Sequence, residues 1–135
     1  MTKICISIKG RSPAEFKEKA LKAIRLGADL IEFRLDYLEE PFDENIHDLI
    51  WEFHDRALVT LRESDEGGRY SGSIEDKIRF MEKISALKPA YVDLELRKLE
   101  GEAVKRFGDT KLIISWHNFE ETPSLEILEK LVERA

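Results

Sequence analysis

The sequence holds one cysteine, three histidines and four prolines among 135 residues, and each scarcity removes a class of explanation. A lone Cys5 forms no internal disulfide, so the chain is expected to rest on a hydrophobic core in a reducing compartment, the cytoplasm. Histidine and cysteine nowhere recur at metal-ligand spacing, and no glycine-rich phosphate loop follows a predicted strand, so no metal is expected. No apolar run approaches a membrane span, and Met1-Thr2-Lys3 leads into a short strand without a signal-peptide pattern; no membrane partner is expected. The net charge of -6 is not offset by any block of Lys and Arg, which argues against nucleic acid as the main partner. No linker or low-complexity segment divides the chain, so residues 1–135 are read as a single domain.

What is present is 42% hydrophobic and 37% charged, the composition of an ordinary globular protein long enough to bury a core. Strand and helix patterns alternate five times. Lys3–Ile8 reads as a strand, and Ser12-Pro13-Ala14-Glu15 as the cap of a helix running to about Leu26. Leu30–Asp36 is a strand, Asn45–His54 a helix, and Ala57–Arg62 a strand followed by a glycine-bearing loop over Glu63–Gly72. Ser73 caps a helix through Ile78, Met81, Ile84 and Leu87, stopped by Pro89. Tyr91–Leu96 is the fourth strand. A short helix is predicted near Glu100–Phe107, then the strand ending at His117, then a helix from Ser124. Five βα units of this size predict an α/β fold with a parallel sheet.

The strands are not the continuous apolar runs of a sheet buried on both faces. Alternation puts Cys5 and Ser7 on one face of the first strand, Glu32, Arg34 and Asp36 on one face of the second, Thr60 and Arg62 on the third, Asp93 and Glu95 on the fourth, and Ser115 and His117 on the last. Leaving such groups buried and unpartnered costs about 1–3 kcal/mol each, more for charges. Their convergence at strand carboxyl ends predicts a site like that of a barrel enzyme, where they pair with one another and with a polar ligand. Taken singly, Glu32 with Arg34, or Arg62 with Asp93 and Glu95, reads equally as a structural ion pair, and the Glu63–Gly68 run as a solvated acidic loop. Two strand-end arginines beside a histidine suggest an anionic or richly hydroxylated small substrate, with histidine as general acid and base.

The runs Ile31-Glu32-Phe33-Arg34-Leu35-Asp36, Thr60-Leu61-Arg62 with Glu66-Gly67-Gly68, Val92-Asp93-Leu94-Glu95-Leu96 and Ser115-Trp116-His117-Asn118-Phe119 with Thr122-Pro123 resemble, in order and spacing, the type I 3-dehydroquinate dehydratases. That resemblance implies a TIM-type (β/α)8 barrel and the dehydration of 3-dehydroquinate to 3-dehydroshikimate in the shikimate pathway, through a lysine imine and with no metal or organic cofactor. It also implies that His117 transfers the protons, that Glu66 orients and polarises it, that Ser7, Glu32, Arg34 and Arg62 contact the substrate, and that Asp93 supports them from beneath. Only about five of eight units are expected in this chain, without the family's imine-forming lysine strand, so the chain is expected to be inactive alone and to be completed by further strands or by association of copies. Lys9 alone has the parity and strand-end position to stand in for that lysine, and its Gly10-Arg11 setting reads as solvated; Lys111 begins its strand at the wrong end. Two other readings compete: a non-catalytic half-barrel that assembles or binds a polyol-like ligand, and a barrel enzyme of aldolase-type imine chemistry.

Overall fold

The computed structural model describes residues 1–99 and 102–135. Its elements follow the predicted order: β1 Cys5–Lys9, α1 Pro13–Arg25, β2 Leu30–Arg34, α2 Asn45–Glu52, β3 Ala57–Thr60, α3 Ile74–Ser85, β4 Tyr91–Glu95, β5 Leu112–Ser115 and α4 Leu125–Arg134. Three of these four helices start at a serine cap, as their sequence signals predict, while α2 has no side-chain cap. Ser12 accepts from the Glu15 amide, with Pro13 in the first helical position; Ser73 accepts from the Asp76 amide and Ser124 from the Ile127 amide. The Glu15 carboxylate reaches the Arg11 amide, one residue before the position it takes in the usual capping box.

Boundaries differ where polar strand ends meet loops. β1 runs to Lys9, while Leu35–Tyr37 forms a short 3-10 turn and β3 stops at Thr60, so Asp36, Leu61 and Arg62 lie beyond their ladders. The helix predicted from residue 100 begins in residues outside those described; the described part is a 3-10 turn at Val104–Phe107. α3 ends at Ser85, four residues before Pro89, and its exit passes through Lys88 with φ 55. Among the described residues no helix is long and apolar enough to cross a membrane.

The five strands are parallel in the order β1-β2-β3-β4-β5. That order never reverses, so the sheet lacks the switch point of a doubly wound fold. Right-handed crossovers that always step in one direction place the helices on one face. The core lies there: Ile31, Phe33, Ala57, Val59, Val92 and Leu94 from the strands meet Phe16, Ala20 and Ala23 of α1, Ile46, Leu49 and Ile50 of α2, and Ile78, Met81 and Ile84 of α3. Phe33 sits between Phe16 and Phe53, with centroids 6.0 Å from each. α4 adds no buried residue to this core.

The other face carries the alternate residues. Ser7 pairs in register with Glu32, Lys9 with Arg34, Arg34 with Thr60, and Glu95 with Ser115. The polar residues therefore run diagonally across the sheet towards the carboxyl ends of the later strands. They are buried at the centre, where Thr60, Arg62, Asp93 and Glu95 lie, and open at β1 and β5.

Candidate active site

Arg62, just past β3, is 6% exposed, and its Nη1 donates to Asp93 Oδ1 at 2.9 Å, Glu95 Oε1 at 3.0 Å and Ser115 Oγ at 2.7 Å. Its Nε and Nη2 have no protein partner among the described residues, so the guanidinium is anchored by one nitrogen and keeps a free edge for a ligand. Ser115 in turn donates to Asp93. Burial pushes the Asp93 carboxyl above its usual range, and Arg62 and Ser115 pull only partly against that.

Glu32 accepts from the hydroxyls of Ser7 at 2.7 Å and Thr60 at 3.0 Å, one on each oxygen, and so does not pair with Arg34. Arg34 makes a two-pronged bond to Asp36, with both distances 2.9 Å. Burial would lower the Arg34 pKa, but the Asp36 bonds and charge outweigh it and raise it instead. Asp36 also accepts from the Arg62 and Arg69 amides, tying the end of β2 to the loop after β3.

That loop is not a solvated acidic stretch. Glu63 and Glu66 are buried while Asp65 is exposed and paired with Lys98. Glu66 Oε1 accepts from the His117 amide at 2.9 Å and lies 3.3 Å from His117 Nδ1; its Oε2 is buried with no partner. The imidazole, two residues beyond β5, is half-buried, with the Phe119 ring parallel to it at a centroid distance of 6.2 Å. A carboxylate at Nδ1 selects the tautomer with its proton there, leaving Nε2 as the free basic nitrogen. Gly67, at φ 84, supplies a conformation that side chains resist, and a Cβ there would meet the Phe119 ring at 2.5 Å.

Of the seven residues named from the sequence, Arg34 ends β2 and Arg62, Glu66 and His117 lie beyond the strand ends, while Ser7, Glu32 and Asp93 sit mid-strand on the polar face. Three sets form: Ser7 with Glu32, Arg62 with Asp93, and Glu66 with His117; Arg34 joins through Asp36. Lys9 is exposed at the end of β1, its ammonium 4.9 Å from the centre of the Tyr37 ring. Cys5 shares the polar face, and partial burial followed by the Glu32 charge raises its pKa, which keeps the thiol protonated and a poor nucleophile.

Sequence reasoning missed Lys77 and Arg97. Lys77 is 1% exposed and reaches from α3 into a contact with Glu95; a lysine one turn into a charged helix reads as solvent-facing. The available signal was its place in line with Met81 and Ile84 on the apolar stripe. Arg97 donates to the His117 carbonyl at 3.0 Å and lies over the Trp116 ring. A cavity of about 760 Å³ lies at the other end of the sheet, against Leu30, Tyr91 and Lys111 where the strands begin, and holds none of these groups.

The type I 3-dehydroquinase family model matches residues 4–135. The chain belongs to the type I 3-dehydroquinase family. It is 38% identical over 136 residues to a 3-dehydroquinate dehydratase of Methanothermobacter thermautotrophicus, covering 99% of this chain and 61% of that protein. The crystal structure of 3-dehydroquinate dehydratase from Geobacillus kaustophilus shares the fold, with a TM-score of 0.84 at 24% identity, covering 99% of this chain and 58% of the other. The type I enzyme of Clostridium difficile, solved with covalently modified comenic acid, aligns at a TM-score of 0.75 and 26% identity, over 96% of this chain and 58% of that one. The chain therefore spans about three-fifths of the length of these three relatives.

Proposed function

We propose that this chain is the substrate-orienting part of a 3-dehydroquinate dehydratase and that its five βα units belong to an eight-unit barrel. The observation that carries the reading is the Glu66–His117 pair and the anchored Arg62 in the loops that follow the strands of one singly wound parallel sheet. Family membership selects the reaction from among those such a site could perform.

In this reading Nε2 of His117 removes the proton from the carbon next to an imine, the electrons move to expel the neighbouring hydroxyl, and the imidazolium returns the proton to that hydroxyl as water leaves. Glu66 holds the imidazole in the required tautomer and stabilises the imidazolium between the two transfers. Arg62, anchored by Asp93 and Glu95, offers its free edge to the substrate's ring oxygens, and Ser7, Glu32 and Arg34 line the approach from β1 and β2. The imine needs a lysine, supplied by further βα units or by another copy of the chain. Such units would also cover the free edges of β1 and β5 and the exposed Leu125 and Val132 of α4. The protein would then be a cytoplasmic biosynthetic enzyme of the shikimate pathway.

Intact mass after incubation with 3-dehydroquinate and borohydride locates that lysine. No adduct is expected on this chain alone; an adduct would place the imine on a lysine present here, with Lys9 the first to map. In the full-length enzyme, His117→Ala should slow formation of the conjugated enone product by about 10²–10⁴-fold. Turnover within a few-fold of wild type would refute the assignment.

A further inference from the structure

Among the described residues, Lys77 is the one ammonium sunk among the carboxylates that anchor Arg62. Its side chain is 1% exposed, and its Nζ contacts Glu95 Oε2 and lies 3.7 Å from Glu63 Oε2. Glu95 is itself 1% exposed and gives its other oxygen to Arg62. The order Lys77, Glu95, Arg62 is thus a continuous buried chain from a helix on the outer face to the guanidinium on the inner one. We propose that Lys77 is a positioning residue, which aims Glu95 so that Arg62 keeps its free edge towards the ligand.

The charge inventory requires such a group. Arg62 faces Asp93 and Glu95, and Glu63 stands behind them; one cation against three carboxylates leaves a buried excess of two negative charges. Lys77 reduces the excess to one. Glu63 is pushed above its ordinary range, first by burial, with Lys77 and Lys98 opposing and Glu95 and Asp65 adding to the rise. Without the Lys77 ammonium Glu63 would be pushed further up, and Glu95 would lose the contact that aims its other oxygen at Arg62. A lysine with only a packing role would predict no such link to Arg62.

This inference rests on Arg62 being a ligand contact, and the test separates the two. Quinate, a non-reacting polyol carboxylate, is titrated calorimetrically into wild type, Lys77→Met, Lys77→Arg and the exposed α3 control Lys83→Met, at several pH values. Lys77→Met should lose about tenfold in affinity at each pH, the worth of one charge-assisted hydrogen bond. Lys77→Arg should restore most of it, and Lys83→Met should match wild type. In parallel, the Arg62 Nε–H resonance should shift in Lys77→Met, and Arg62→Lys should shift the Lys77 ammonium resonance. A folded Lys77→Met with wild-type affinity and an unmoved Arg62 signal overturns the proposal. If that variant does not fold, an unmoved Lys77 resonance in Arg62→Lys does so instead. If wild type binds no quinate, the functional reading fails, while the two resonances still decide whether Lys77 positions Arg62.

Discussion

Asp36 offers the sharpest test of how the site is held. Each of its carboxylate oxygens accepts one guanidinium N–H of Arg34 and one backbone N–H: Oδ1 from Arg34 Nε at 2.9 Å and the Arg62 amide at 3.3 Å, and Oδ2 from Arg34 Nη2 at 2.9 Å and the Arg69 amide at 3.1 Å. Asp36→Asn keeps the shape, but whichever way the amide turns, its NH2 meets one Arg34 N–H and one backbone N–H that had an acceptor. The loss is one charge-assisted bond, about 1.5–3 kcal/mol, and one neutral bond, about 1 kcal/mol. The Arg34 side chain is 17% exposed and recovers some hydration, which places the total near 3 kcal/mol. An unfolding entropy of about 2.1 cal/mol/K per residue over this length converts that into a Tm lower by about 10 °C. Calorimetric melting at pH 7 measures the shift, and amide hydrogen exchange reports which of Arg62 and Arg69 has lost protection. A Tm within about 3 °C of wild type, with both amides as protected as before, would show that Asp36 does not tie β2 to the Glu66 loop.

Gly68→Ala places a Cβ on the Arg62 carbonyl, whose partner is the Tyr70 amide, so the loop must shift; a stability loss of at least about 2 kcal/mol in urea unfolding is expected, and a loss below about 0.5 kcal/mol would contradict the close approach. Glu63 has a folded pKa raised above 4.5 by burial, so the native state binds its proton more tightly than the unfolded state, and this group's contribution to stability falls as pH rises from about 4.5 through the folded value. Glu63→Gln removes that decline. The stability of the variant relative to wild type should therefore grow from pH 4.5 to pH 7, and a pH-independent difference, or one of opposite sign, would mean that Lys77 already compensates the buried charge.

The element order, the parallel sheet and the sorting of every strand into an apolar and a polar face were legible in the chain, because a period of two and a helix cap are local properties that no distant contact needs to supply. For the same reason Arg62, Asp93 and His117 could be placed on the polar face before any coordinates, whereas Glu66 was named only through the family resemblance. Their partners were legible only in part: Arg62 with Asp93 and Glu95 was one reading of the chain, and Glu66 with His117 came from the family resemblance. Which carboxylate meets which cation depends on the register between neighbouring strands and on where the loops fold back, and those are tertiary facts. Glu32 and Arg34 share a face, yet Glu32 turns to the Ser7 and Thr60 hydroxyls while Arg34 takes Asp36. Arg62 meets Asp93 and Glu95 together because the β3–β4 register, with Leu58 opposite Tyr91, carries the chain past β3 alongside them. Lys77 lay furthest from reach. A lysine becomes a core residue only when a buried carboxylate on another element waits for it, and only the packing of α3 over the end of β4 brings that carboxylate there.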